Sequence, residues 1–119
     1  MRILLVEDNV GDQTLIKEAF QEADVQCDLM MVNDGIEAMK FLTRQEEFKD
    51  RLQPHLIILD LNLPKKDGRE VLAEIKSNAQ LEHIPVLIFS NSKAKRDICD
   101  SYRLKASAYI DKPSEYEGF

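Results

Sequence analysis

LIILDLNLPKKDG occupies residues 56–68, and its first four residues decide the fold. Leu56-Ile57-Ile58-Leu59 is apolar at every position, where a strand with one wet face would alternate apolar and polar. A strand buried on both faces reads this way, and that burial needs a sheet with helices on either side. The run ends in a carboxylate, Asp60, and Leu63-Pro64 interrupts the stretch that follows.

Working outward, Ile3–Val6 (ILLV) and Val86–Phe89 (VLIF) are unbroken in the same way, and Cys27–Val32 and Ser107–Ile110 supply two more apolar runs. Between the runs the period becomes helical. Leu15, Ala19 and Ala23 recur at four, as do Ile16 and Phe20. Ile36, Met39 and Leu42 form a second stripe, Val71, Leu72 and Ile75 a third, and Ile98 with Tyr102 a fourth. All are expected to face a core, with Met30, Met31 and Met39 as filler. Runs alternating with stripes predict a βα repeat and a parallel sheet. Asn33-Asp34-Gly35 reads as a turn and Pro85 opens the fourth run. The charged stretch 43–55 is longer than a minimal connection and is expected to extend the second helix or add a turn.

With 119 residues the chain holds one core, so residues 1–119 are expected to form a single domain. A net charge of −6 opposes direct nucleic-acid binding, which needs a basic face. No apolar stretch reaches membrane-spanning length, and Ile3–Val6 is too short for a secretory signal. Cys27 and Cys99 fit no metal spacing and read as buried thiols in a reduced, cytoplasmic protein. Ser114-x-x-Glu117 has the form of a capping box, yet the sequence ends at Phe119. A fifth helix is therefore expected to be incomplete, or supplied by another chain.

In an open parallel sheet, ligands bind beyond the C-terminal ends of the strands. The first run delivers Glu7-Asp8 to that edge, the third Asp60, the fourth Ser90, and the fifth Asp111-Lys112-Pro113. Clustered carboxylates stay ionised only with positive charge among them. Mg²⁺ suits such oxygens, typically taking one or two carboxylates, several waters and a phosphoryl oxygen. Lys112 adds a point charge that can serve a carboxylate or a phosphoryl oxygen, and the Ser90 hydroxyl can donate one more hydrogen bond. The set implies phosphoryl transfer by positioning and charge neutralisation, with Asp60 as nucleophile.

The chain resembles a receiver domain of the two-component response-regulator family as far as about Ser114. The matching segments are Leu4–Asn9 (LLVEDN), Leu56–Gly68, Val86–Ser90 (VLIFS) and Ala108–Pro113 (AYIDKP). DLNLPKKDGREVL and the VEDNxGD start (Val6–Asp12) are similar to the single-domain regulators that serve cyanobacterial and bacterial phytochromes. The resemblance implies a flavodoxin-like (βα)5 fold with strand order 2-1-3-4-5. It makes Asp60 the phosphoacceptor for a sensor histidine kinase, and Asp8 a direct Mg²⁺ ligand. Glu7 would reach the metal through water, and Asn62 would ligate it through the backbone carbonyl. Ser90 is matched to the switch hydroxyl, Lys112 to the family's lysine, and Tyr109 to the aromatic that turns inward on activation. Lys112-Pro113 would be a cis peptide, and the face of helix four, strand five and helix five would dimerise or engage targets. Ser90 stands where many relatives carry Thr.

Simpler readings stand beside these. Glu7 and Asp8 could complement a helix dipole, Ser90 could be a loop hydroxyl, and Tyr109 could pack with a wet tip. Lys65 and Lys66 either steer an acidic partner or form a solvated pair, and His55 and His83 read as surface residues. An aspartate-nucleophile phosphatase would want an acid two residues after Asp60, where Asn62 stands. A nucleotide- or flavin-binding module would want a glycine- or hydroxyl-rich loop after the first run, where Glu7-Asp8-Asn9 stands. A pseudo-receiver that only binds partners is opposed by the complete acidic set with Lys112.

Overall fold

The computed structural model describes residues 1–91, 103 and 105–112. The stripe at Ile98 and Tyr102, together with Cys99, Pro113 and the Ser114–Glu117 capping box, lies outside the described residues. So does the cis peptide expected at Lys112-Pro113.

Five strands form one sheet in the order β2-β1-β3-β4-β5, as the resemblance implied. They are β1 (Arg2–Val6), β2 (Asp28–Val32), β3 (Leu56–Leu59), β4 (Val86–Ser90) and β5 (Ala108–Asp111). All neighbours pair in parallel, with Leu4 opposite both Met30 and Ile57, and Ile58 opposite Leu87. The helices described are α1 (Val10–Glu22), α2 (Gly35–Leu42) and α3 (Gly68–Ser77).

The unbroken apolar runs divide between two cores. Leu4, Val6, Ile57, Leu59, Val86 and Ile88 face the larger one, which Ala38, Phe41 and Leu42 of α2 and Val71, Leu72 and Ile75 of α3 complete. Ile3, Leu5, Ile58 and Phe89 face the smaller one, covered by Ile16 and Phe20 of α1. Successive strand residues point to opposite sides, so a strand needs apolar residues throughout only when both sides are dry.

Two stripes differ from expectation. Leu15 is 38% exposed, and Ala19 and Ala23 are also exposed; only the Ile16–Phe20 stripe of α1 meets the sheet. Leu15 and Ile16 point about 100° apart, and α1 is rotated so that the Ile16–Phe20 side takes the sheet contact, while Ala23 is the C-cap. In α2 the inward face is Ala38, Phe41 and Leu42, which leaves Ile36, about 200° around from Ala38, 43% exposed. The stretch 43–55 adds a turn: Glu46–Phe48 is a 3-10 segment that folds Phe48 inward, its ring centroid 5.3 Å from that of Phe41.

Candidate functional site

Each acid at the rim is placed by a strand end. Glu7 follows β1, its backbone N–H donating to Val32 O at 3.0 Å, which leaves the side chain 1% exposed. Asp60 follows β3, its N–H donating to Val6 O at 3.2 Å, and is 4% exposed. Asp8 stands exposed beside them. On the far side Ser90 ends β4, fully buried, in register with Asp111 of β5. The next residue, Lys112, donates its backbone N–H to Ser90 O at 2.9 Å.

That anchor sends the Lys112 side chain back across the rim. Its Nζ lies 2.9 Å from Asp60 Oδ2, 2.6 Å from Glu7 Oε1 and 2.8 Å from Asp12 Oδ2, and 5.7 Å from the centre of the Phe89 ring. Burial disfavours the ammonium, but its hydrogen bonds to Asp12 and Asp60 and its close pairing with the Glu7 carboxylate outweigh that and hold the lysine above its ordinary pKa. Glu7 moves upward too, to about 7, because burial of its carboxylate outweighs the help of Lys112 and of the Asn9 N–H, and the Asp60 charge pushes the same way.

One carboxylate oxygen each from Glu7, Asp8 and Asp60 lies within 4.8 Å of the others. Glu7 Oε2 accepts the Asn9 N–H at 3.0 Å, whereas the buried Oε1 is ion-paired with Lys112 without an aligned hydrogen bond. An all-oxygen set with one buried oxygen short of a donor fits a hard divalent cation. The Asn62 backbone N–H donates to Asp60 Oδ1 at 3.1 Å, which fixes the carboxylate and folds the chain after β3 over the same rim. Gly68 makes that fold possible: a Cβ there would stand 2.2 Å from Asp60 O.

Sequence reading thus placed Glu7, Asp60, Lys112 and Asn62 together, with Asp8 and Ser90 on the same edge. Tyr109 is half-buried and packs against the larger core. Lys65 pairs with Asp34 at 3.5 Å while its side chain stays 66% exposed, and Lys66 pairs with Glu74. His55 and His83 are exposed as expected. Asp12 was missed as a functional residue; its only signal was its place at the end of the VEDNxGD stretch. A hollow of about 580 Å³ lies at the other end of the sheet, lined by Arg2, Cys27, Asp28, Arg51 and Leu52 among others, away from these acids.

Residues 3–118 match the family described as the response regulator receiver domain. The chain belongs to that family. This receiver is 46% identical to response regulator Rcp1 of Synechocystis sp. over 110 residues, 92% of this chain and 75% of that protein. Its structure superposes on the Mn²⁺-bound form of Rcp1 with a TM-score of 0.92 and 44% identity, covering 97% of this chain and 83% of the other. The phosphorylated cyanobacterial phytochrome response regulator RcpA gives a TM-score of 0.91 and 49% identity over 96% of this receiver and 81% of that chain. No described helix is long and apolar enough to cross a membrane.

Proposed function

We propose that Asp60 accepts a phosphoryl group from the phosphohistidine of a sensor histidine kinase, in phytochrome-type light signalling. The bond from phosphorus to the imidazole nitrogen breaks, the bond to the Asp60 carboxylate oxygen forms, and the imidazole leaves with the electron pair. Mg²⁺, held by the carboxylates of Asp8 and Asp60, by Glu7 and by the Asn62 carbonyl, would neutralise charge on the transferring oxygens. Lys112 then exchanges a carboxylate for a phosphoryl oxygen, and Ser90 donates from the end of β4. Tyr109 turning inward passes the change to the surface beside β5. The whole chain works as one receiver unit in the cytoplasm, without nucleic acid or membrane. Dimerisation or target binding uses the face containing β5, where Ile110 is 45% exposed.

One observation carries the reading: a buried ammonium, on the residue after β5, lies within 2.9 Å of carboxylates at the ends of both β1 and β3. The relatives add that Rcp1 was seen with Mn²⁺ and RcpA phosphorylated. Intact mass after incubation with acetyl phosphate tests it. A single phosphoryl adduct that needs Mg²⁺ and disappears in Asp60→Asn is expected. No adduct on a folded wild-type chain would leave a pseudo-receiver that only binds partners.

A further inference from the structure

We infer that Asp12 is a positioning residue for Lys112, holding the ammonium at the mouth of the site while a divalent cation occupies Glu7 and Asp60. The inference rests on the reading of those acids as the cation's ligands.

Asp12 is the third residue of α1, whose N-cap is Asn9. The Asn9 Oδ1 accepts the Asp12 N–H at 3.0 Å, half of a capping box. In the complete motif the acid at Asp12's position would reach back to the N-cap N–H. Here Glu7 Oε2 already accepts that N–H at 3.0 Å, so the Asp12 carboxylate is released from local duty. It spans a hundred residues of sequence instead and meets Lys112 Nζ at 2.8 Å.

The three partners of Lys112 are not equivalent. Glu7 and Asp60 belong to the carboxylate group that fits a cation, whereas Asp12 does not. The side chains of Glu7 and Asp60 are 1% and 5% exposed, and that of Asp12 is 24% exposed. A divalent ion entering among Glu7, Asp8 and Asp60 takes oxygens the ammonium now holds and repels the ammonium at short range. Asp12 is the partner left to Lys112, close enough to Asp60 that the lysine stays within reach of an arriving phosphoryl group. Without it, ammonium and cation contend for the same two carboxylates.

Calorimetric titration with MgCl₂ of wild type, Asp12→Asn, Lys112→Met and the double variant tests this. Asp12→Asn should weaken Mg²⁺ binding about fivefold with Lys112 present, and less than about twofold when it is introduced on top of Lys112→Met. Equal weakening in both backgrounds would mean that Asp12 acts directly on the cation and would overturn the inference, as would no weakening at all. A second readout does not depend on the lysine variant folding. The Lys112 ammonium signal in ¹⁵N spectra should persist through Mg²⁺ saturation in wild type and vanish in Asp12→Asn; persistence in both would overturn the assignment. A wild type that binds Mg²⁺ but takes no phosphoryl group would defeat the phosphoacceptor reading alone, and one that binds no Mg²⁺ would defeat both.

Discussion

Replacing Gly68 with alanine should damage this domain far more than its small size suggests. The new Cβ would lie 2.2 Å from Asp60 O, 2.6 Å from Leu61 Cα and 2.9 Å from Leu61 O. The nearest of these is more than about 1 Å inside an ordinary contact. None belongs to a side chain that could swing aside. Asp60 is tied to β1 through its N–H on Val6 O, and Gly68 is tied to the same segment through its own N–H on Leu61 O at 2.9 Å. Relief therefore requires α3 to move away from the end of β3. Overpacking of a rigid neighbour costs about 1–3 kcal/mol, and the backbone contacts put this case at the upper end. For a chain of this length that lowers the thermal midpoint by about 10 °C. Circular-dichroism melts of Gly68→Ala and Gly11→Ala, side by side, provide the assay. At Gly11 the nearest atom is the Asn9 side-chain oxygen at 3.1 Å, in the first turn of a helix, so that variant should stay within about 2 °C of wild type. A Gly68→Ala midpoint equally close to wild type would refute the claim that the α3 N-terminus is wedged against the Asp60 and Leu61 backbone.

Three further outcomes are expected. Because Glu7 binds its proton up to about pH 7, Mg²⁺ affinity measured by calorimetry should be about tenfold weaker near pH 6 than near pH 8. In the metal-free chain the sign reverses: a raised carboxyl pKa contributes stability that is complete below the ordinary value of 4.5 and is lost as pH rises to about 7. Phe48→Ala should cost about 3 kcal/mol in urea unfolding, by emptying the place beside Phe41, and leave the rate of acetyl-phosphate labelling unchanged.

The sheet was legible because burial on both sides leaves no polar positions, so ILLV, LIIL and VLIF could be read without knowing what covered them. Helix faces were harder. In α1 both Leu15 and Ile16 head apolar stripes, and only the tertiary position of the helix decides between them. Ile36 was misread for a related reason: α2 has eight residues, too few for periodicity to single out the Ala38–Phe41–Leu42 face. At the site, strand-end acids were found because the fold dictates where strands end. Asp12 was not, since an acid in the first turn of a helix already has a sufficient local reason to be there. Its role depended on Glu7 occupying the N-cap N–H, a contact that no spacing rule announces.

The placement of Lys112 also bears on how the domain is assembled. Its contacts with Asp12 and Asp60 span 100 and 52 residues of sequence. During synthesis from the N-terminus, β1 and β3 can bring Glu7 and Asp60 together long before β5 exists to deliver their counter-charge. Mutual repulsion at that edge then opposes early closure of the β1–β3 pair, and contacts of long sequence separation are slow to form. A solution cation settling among the acids would relieve that repulsion, so a divalent ion would act on the half-made chain as a temporary substitute for its lysine.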